Sequence, residues 1–257
     1  MAKQGYPKVP SADPPLASAR ALGPSSAPAR AGYHHGALRE ALIEASESLL
    51  AERGLEGFSL REVARRSGVS PAAPAHHFGD ASGLLAAVAT SAFDGLTAAL
   101  EAGNARGGDD PVARLREQGV GYVGFALQFP GRFGLMFRTG LTKHEALARS
   151  AGAAFDTLER EVRALYAVPP GQPLAPAQWQ ALLATWSVVH GFAHLALAGQ
   201  FDRFAPGGRE ALLRTTVAPM LEQHLAALRP ATSGAAARRT VDTPVKPGKP
   251  PSKRSRR

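Results

Sequence analysis

The sequence predicts an all-α protein with a small N-terminal helical bundle and a larger C-terminal one. Apolar residues recur at helical spacing between residues 37 and 228, and no segment alternates apolar and polar residues as a strand would. Clusters such as Pro169-Pro170-Gly171 divide this pattern into segments of helical length. Residues 1–32 are rich in Pro, Ala, Ser and Gly, and residues 229–257 add Lys and Arg, so both tails are expected to be disordered.

Three helices are expected first, at residues 37–53, 59–66 and 71–78. Ser59 and Glu62 fit a capping box at the start of the second helix. Ser70 can cap the third helix, which places Pro71 at its first position, where a missing N–H costs nothing. Pro74 would then be the fourth helical residue and would delete one backbone bond, which is tolerable at a helix end. The second and third of these helices are therefore predicted to form a helix-turn-helix.

The remaining helices are expected at residues 81–104, 111–130, 132–138, 143–167, 176–199 and 208–228. Asp80 and Asp110 are suitable N-caps, and Pro111 can open the helix that Asp110 caps. The glycines and aspartates before Pro111 form a hinge-like loop.

Composition limits the class of protein. The 257 residues include no cysteine, which excludes disulfides and thiolate chemistry. Neither a signal peptide nor a membrane-spanning run is recognisable, so we expect a cytoplasmic protein. The net charge of +9 lies in the tails, because nine basic residues follow Leu228 and four precede Tyr33, against one acidic residue in each tail. Such charge favours an acidic partner.

The N-terminal pattern ALREALIEASESLLAERGLEGFSLREVARRSGVSPAAPAHHFGDASGLLAAVA resembles the DNA-binding domain of TetR-type transcriptional regulators, and Tyr33-His34-His35-Gly36 looks like the entry to its first helix. The resemblance implies a DNA-binding domain over residues 33–97, with the helix-turn-helix at about 59–78. The third helix is short enough to enter the major groove of double-stranded operator DNA, while the second crosses the phosphate backbone.

The residues expected to contact DNA lie on these two helices: Arg61, Arg65, Arg66, Ser70, Pro71, Ala72, Ala73, His76 and His77. Small Ala72 and Ala73 would let the backbone approach base edges and thymine methyl groups, and His76 can donate or accept a hydrogen bond. Two alternatives stay open, because His76 is also explained as a surface residue and His77 as a packing or capping residue. Phe78 is expected in the core.

Two positions depart from the family pattern. Ala75 stands where TetR-type proteins commonly carry a phosphate-contacting tyrosine, and Ala81 stands where they carry a lysine. Residues 36–97 also hold five basic and eight acidic side chains. An acidic domain is unfavourable on DNA unless the three arginines of the second helix face it.

The segments GYVGFALQFPGRFGLMFR at 121–138 and WSVVHG at 186–191 resemble the C-terminal domain of TetR-type proteins named for its Trp-His-Gly signature. Their aromatic, sulfur and imidazole groups are candidates for a ligand cavity: Phe125, Phe133, Met136, Phe137, Trp186, His190 and His194. An ordinary core explains the same residues. His190 and His194 are spaced to share a metal, but no Glu, Asp or Cys accompanies them at ligand spacing, so no metal is predicted.

The resemblance implies a homodimeric transcriptional regulator, a repressor by the family's usual mode, whose domain over residues 98–228 senses a small-molecule effector and dimerises. The long apolar faces of the last two helices agree with a four-helix interface between subunits. A helical binding or interaction module with a degenerate DNA-reading surface is the alternative. An enzyme is not expected, because no nucleophile–base pair, phosphate loop or zinc-helix motif occurs, and no cofactor is predicted.

Overall fold

A computed structural model of the protein describes residues 33–138, 144–202 and 207–228. Every secondary-structure element among them is helical, which confirms the all-α prediction. The elements are α1 (Tyr33–Arg53), α2 (Leu60–Arg66), α3 (Ala73–Phe78), α4 (Ala81–Gly107), α5 (Pro111–Gln128), α6 (Pro130–Met136), α7 (Glu145–Leu165), α8 (Pro176–Leu197), α9 (Gly208–Leu212), a π-helical segment (Leu213–Val217) and α10 (Ala218–Leu228). The predictions of disorder at 1–32 and 229–257 lie outside the described residues.

The first three helices and the start of α4 share an apolar core. Leu42 and Leu49 of α1, Val63 of α2 and Leu84 of α4 are all fully buried. The turn between α2 and α3 passes through Gly68 at φ +67°, a left-handed conformation that favours glycine. These contacts hold α2 and α3 in a helix-turn-helix arrangement.

The third helix begins later than the sequence predicts. Ala73 N donates to Ser70 O at 3.0 Å, so Ser70 and Pro71 belong to a turn, and Ala72 is the N-cap. The predicted cap at Ser70 is therefore wrong. Pro74 falls in the first helical turn, where its missing N–H leaves no bond unmade. Pro74 is also buried, so tertiary packing as well as local chemistry favours a helix start at this proline.

Three predicted N-caps have different outcomes. Asp80 accepts a hydrogen bond from Gly83 N at 2.8 Å, and Asp110 accepts from the first turn of α5, as predicted. The capping box at α2 is wrong, because the Ser59 side chain makes no cap bond and Glu62 binds arginine side chains instead.

In the C-terminal part, α4 packs along α5 and α7, and α8 and α10 pack on α5. Helix α4 is the one described helix long and apolar enough to cross a bilayer, but residues such as Leu84, Val88 and Leu96 are buried in the protein. This burial is what a core helix requires. The last predicted helix, 208–228, is instead interrupted by the π-helical segment.

Candidate nucleic-acid interface and ligand cavity

Helix α3 exposes one stripe of small residues. Ala72, Ala75 and His76 are exposed, at the spacing that places side chains on one helix face. Ser70 and Pro71 are exposed just before the helix. The surface therefore consists of one imidazole and several small side chains.

The other predicted positions of α3 lie nearer the interior. Ala73 is half-buried, so it contributes less to the exposed stripe than Ala72 does. His77 is also half-buried, with its ring 5.6 Å from that of His76 and 6.3 Å from that of Phe78. Phe78 packs against the core, and the Arg39 guanidinium lies 5.4 Å from its ring centroid.

The three arginines of α2 differ in how far they are available to an anion. Arg66 donates to Glu52 at 2.6 Å and to Glu62 at 3.1 Å, and its side chain is only 18% exposed. Arg65 makes two 2.8 Å bonds to Glu62 but is 70% exposed. Arg61 is exposed, and no carboxylate of the described residues pairs with it. Arg66 is thus the least available of the three to an anion, while the contact of these arginines with DNA stays a prediction.

The acidic partners are held in their charged form. Hydrogen bonds from Arg66 and Ser48 lower the pKa of Glu52 to about 2, and those from Arg65 and Arg66 lower the pKa of Glu62 to about 2. Both carboxylates are ionised at any pH where DNA binding is measured, so they compete with phosphate for the arginines.

A cavity of about 550 Å³ lies in the C-terminal part, among α4, α5, α7, α8 and the end of α6. Its size is typical of sites for drug-sized molecules. Aromatic and aliphatic side chains form most of its wall. The lining residues are Phe93, Leu96, Leu100, Leu115, Gln118, Gly119, Tyr122, Met136, Phe137, Arg138, Leu147, Ala148, Ala151, Gly152, Ala154, Phe155, Leu158, Thr185, Trp186 and Val189.

The polar groups inside the cavity are bonded to the protein. A 2.8 Å hydrogen bond joins the Tyr122 hydroxyl and His190 Nδ1, and burial raises the pKa of Tyr122, so the phenol stays neutral. Thr185 Oγ1 donates to Ala181 O at 2.8 Å. Gln118 donates from Nε2 to Asn104 and to the Thr157 carbonyl. The interior thus presents a largely apolar surface.

Three of the predicted ligand residues, Met136, Phe137 and Trp186, line this cavity. The other four do not. Phe133 is fully buried behind the wall, where its ring packs 5.4 Å from that of Phe137. Phe125 packs on Phe129, away from the cavity.

The two histidines lie behind Phe137. The His190 ring is 4.5 Å from those of Phe137 and His194, and burial together with His194 lowers the pKa of His190. His194 is exposed. Within the described ranges, no group of three or more potential metal ligands is found.

Sequence reasoning missed the contributions of α4 and α7. Phe93, Leu96 and Leu100 lie on α4, and Leu147 and Phe155 lie on α7. Their apolar spacing indicated buried helix faces, but only the packing of the helices shows that these faces enclose space.

Two elements connect the cavity to the helix-turn-helix. Helix α4 begins beside α3 and carries Phe93 in the cavity wall. Helix α6 ends at the cavity with Met136, and one turn earlier Arg132 pairs with Glu47 of α1. Packed contacts therefore run from the cavity wall to the N-terminal helices.

Comparisons with known proteins agree with this architecture. Residues 42–88 match the model of the bacterial regulatory proteins of the tetR family, and residues 115–220 match the tetracyclin repressor-like C-terminal domain. Neither description names the Trp-His-Gly subtype, which stays a prediction.

Over 78 residues the chain is 40% identical to the HTH-type transcriptional regulator BetI of Burkholderia thailandensis, a match that covers 30% of this chain and 40% of that protein. The chain thus aligns with about two fifths of the length of this curated relative.

Among solved structures, a protein of unknown function from Rhodococcus sp. RHA1 is 32% identical with a TM-score of 0.60, and the match covers 76% of this chain and 98% of that one. A TetR family transcription regulator from Marinobacter aquaeolei VT8 is 20% identical with a TM-score of 0.54, covering 75% of this chain and 97% of that one. The second likeness concerns the fold alone.

Proposed function

Because the chain belongs to the TetR family of bacterial regulatory proteins, we propose that it is a cytoplasmic DNA-binding transcriptional regulator and not an enzyme. The observation that carries the proposal is the exposed stripe of α3, formed by Ala72, Ala75 and His76. A short helix with small exposed residues can approach base edges closely in the major groove, where alanine contacts thymine methyl groups and histidine can form a hydrogen bond.

The test measures binding of the full-length protein to the DNA that flanks its own gene. Ala75→Glu places a carboxylate on the exposed stripe, so affinity should fall by at least about tenfold, the cost of one lost base contact. Ala153→Glu, at an exposed alanine of α7, is the matched control and should bind as the unchanged protein does. If the two variants bind DNA with equal affinity, α3 is not part of the DNA interface.

We further propose that the regulator acts as a homodimer. Helix α8 exposes Leu183 and Leu195, at 48% and 49%, with exposed Ser187 and Gly191 between them. Small residues between leucines permit a second helix to approach closely, and a two-fold axis would pair this face with itself. Sedimentation equilibrium should show a dimer, and Leu195→Glu should shift it toward the monomer. A monomeric unchanged protein at micromolar concentration would contradict the proposal.

Repression relieved by an effector is the regulatory mode that we propose. The cavity supports an effector site, and α4 and α6 provide the mechanical connection to the DNA-binding helices. An effector that repositions these helices would change the separation of the two α3 helices of a dimer. Transcription from the neighbouring promoter should rise when the gene is deleted, and an unchanged or lower level would contradict repression.

A binding module without DNA recognition is the second candidate. The pairing of Arg66 with Glu52 and Glu62, together with the alanines at 75 and 81, favours it, because each reduces the number of phosphate contacts. Absence of specific DNA binding by the full-length protein, combined with retained ligand binding, would decide for this candidate.

A further inference from the structure

We propose that the cavity takes an amphiphilic carboxylate, with its apolar body among the aromatic and leucine side chains and its carboxylate at Arg138. This inference rests on the proposed role of the cavity as the effector site. It names the chemical class of the effector, which the comparisons leave open.

Among the described residues that line the cavity, Arg138 is the one with a charged side chain. It is exposed, and it follows directly on Met136 and Phe137 of the same wall. No aspartate or glutamate is found among the lining residues that the structure describes. Within this described part of the wall, an anionic head group would therefore meet a positive charge at Arg138, and an organic cation would meet no carboxylate.

The position of Arg138 differs from that of the other arginines between residues 81 and 197. The chain carries eight arginines between residues 81 and 197, and seven of them lie within 4.0 Å of a carboxylate: Arg106, Arg114, Arg116, Arg132, Arg149, Arg160 and Arg163. Arg138 is the exception within the described ranges. Since a guanidinium is always charged and binds carboxylates in a fixed geometry, an unpaired one at a cavity is suited to a ligand carboxylate.

The interior of the cavity determines the rest of the ligand. The hydroxyls of Tyr122 and Thr185 and the amide nitrogen of Gln118 are already hydrogen-bonded within the protein. A polar group placed deep in the cavity would lose its bonds to water and find few free partners. An alkyl chain or aromatic ring meets favourable contacts there, and about 550 Å³ leaves room for either.

The experiment compares three probes that share a twelve-carbon chain and differ in head-group charge: dodecanoate, dodecanol and dodecyltrimethylammonium, each below its micellar concentration. Binding to the full-length protein is followed by calorimetry. Dodecanoate should bind most tightly. Arg138→Gln should lower the affinity for dodecanoate by about tenfold, the value of one charge-assisted hydrogen bond. It should leave the affinity for dodecanol unchanged.

The matched control is Arg149→Gln, which removes the same charge from an exposed arginine of α7 that pairs with Glu145 outside the cavity wall. It should not change dodecanoate binding. A second pair of probes, a biphenyl carboxylate and the corresponding neutral alcohol, makes the same comparison for a ligand with an aromatic body. Equal binding of charged and neutral probes, tighter binding of the ammonium probe, or no binding of either carboxylate would overturn the inference.

Failure of the inference can be separated from failure of the proposed function by measuring DNA binding on the same preparations. A protein that binds operator DNA but no carboxylate remains a regulator with an effector of another class. A protein that binds dodecanoate through Arg138 but no DNA keeps the ligand assignment and contradicts the proposed regulator.

Discussion

Replacing Glu62 with glutamine should strengthen DNA binding and make it more sensitive to salt. Glu62 accepts two hydrogen bonds from Arg65 and one from Arg66. The uncharged amide would release Arg65, which is 70% exposed, while Arg66 would stay bound to Glu52 at 2.6 Å. One arginine per subunit would thus become available to phosphate.

The magnitude follows from counterion release. Each phosphate neutralised steepens the slope of log affinity against log salt by about 0.9, so the variant should gain about 1.8 units if it binds as the proposed dimer. Anisotropy titrations of full-length protein with operator DNA between about 50 and 200 mM salt measure this slope.

Glu40→Gln is the matched control for this prediction, because Glu40 is an exposed glutamate of α1 with no ion pair among the described residues. It makes the same charge change without releasing an arginine, so its slope should match that of the unchanged protein. If the slope of Glu62→Gln does not exceed that of Glu40→Gln, the carboxylate does not hold Arg65 away from DNA, and the reasoning is refuted.

Phe133→Ala should lower the free energy of unfolding in urea by about 3 to 5 kcal/mol, because Phe133 is fully buried and its removal leaves a void; a loss below about 1 kcal/mol would contradict its place in the core. Burial lowers the pKa of His190, so the unfolded chain takes up the proton first and stability should fall as pH drops below 6.5. Urea denaturation at pH 7.5 and at about 5.5 should show that His190→Gln loses less stability between these two pH values than the unchanged protein does. An equal loss of stability in both proteins would exclude His190 as its cause. Deleting residues 230–257 should flatten the salt slope of DNA binding by about 2 to 4 units if that many tail cations touch phosphate, whereas an unchanged slope would show that the tail does not contact DNA.

The sequence was sufficient for the helical class and for the order of the helices, because apolar periodicity and Gly and Pro breaks are local signals. It was not sufficient for the start of α3. Ser70-Pro71 and Ala73-Pro74 both offer a proline near a helix start, and the burial of Pro74 against the rest of the domain favours the second. That burial depends on tertiary packing, which local chemistry does not determine.

The arginines of α2 illustrate the same limit at the candidate site. The spacing of Glu62 and Arg66 is visible in the sequence as an i, i+4 pair. Glu52, however, lies on α1, fourteen residues before Arg66, and meets it only because α1 and α2 pack together. The difference between an arginine free for DNA and one held by the protein is therefore a tertiary property.

The small number of free cations in the helix-turn-helix has a consequence for the proposed regulation. With Arg66 held by two glutamates, each subunit offers only Arg61 and, in competition with Glu62, Arg65 from α2. A single domain with so few phosphate contacts is expected to bind DNA weakly, so operator affinity of the proposed dimer would rest on both α3 helices engaging half-sites about 34 Å apart at once. An effector then needs only to change that separation, because losing one of two weak contacts removes most of the affinity. The pairing of Arg66 with two glutamates would in this way make DNA binding depend on the separation of the two α3 helices, which an effector in the proposed cavity site would change.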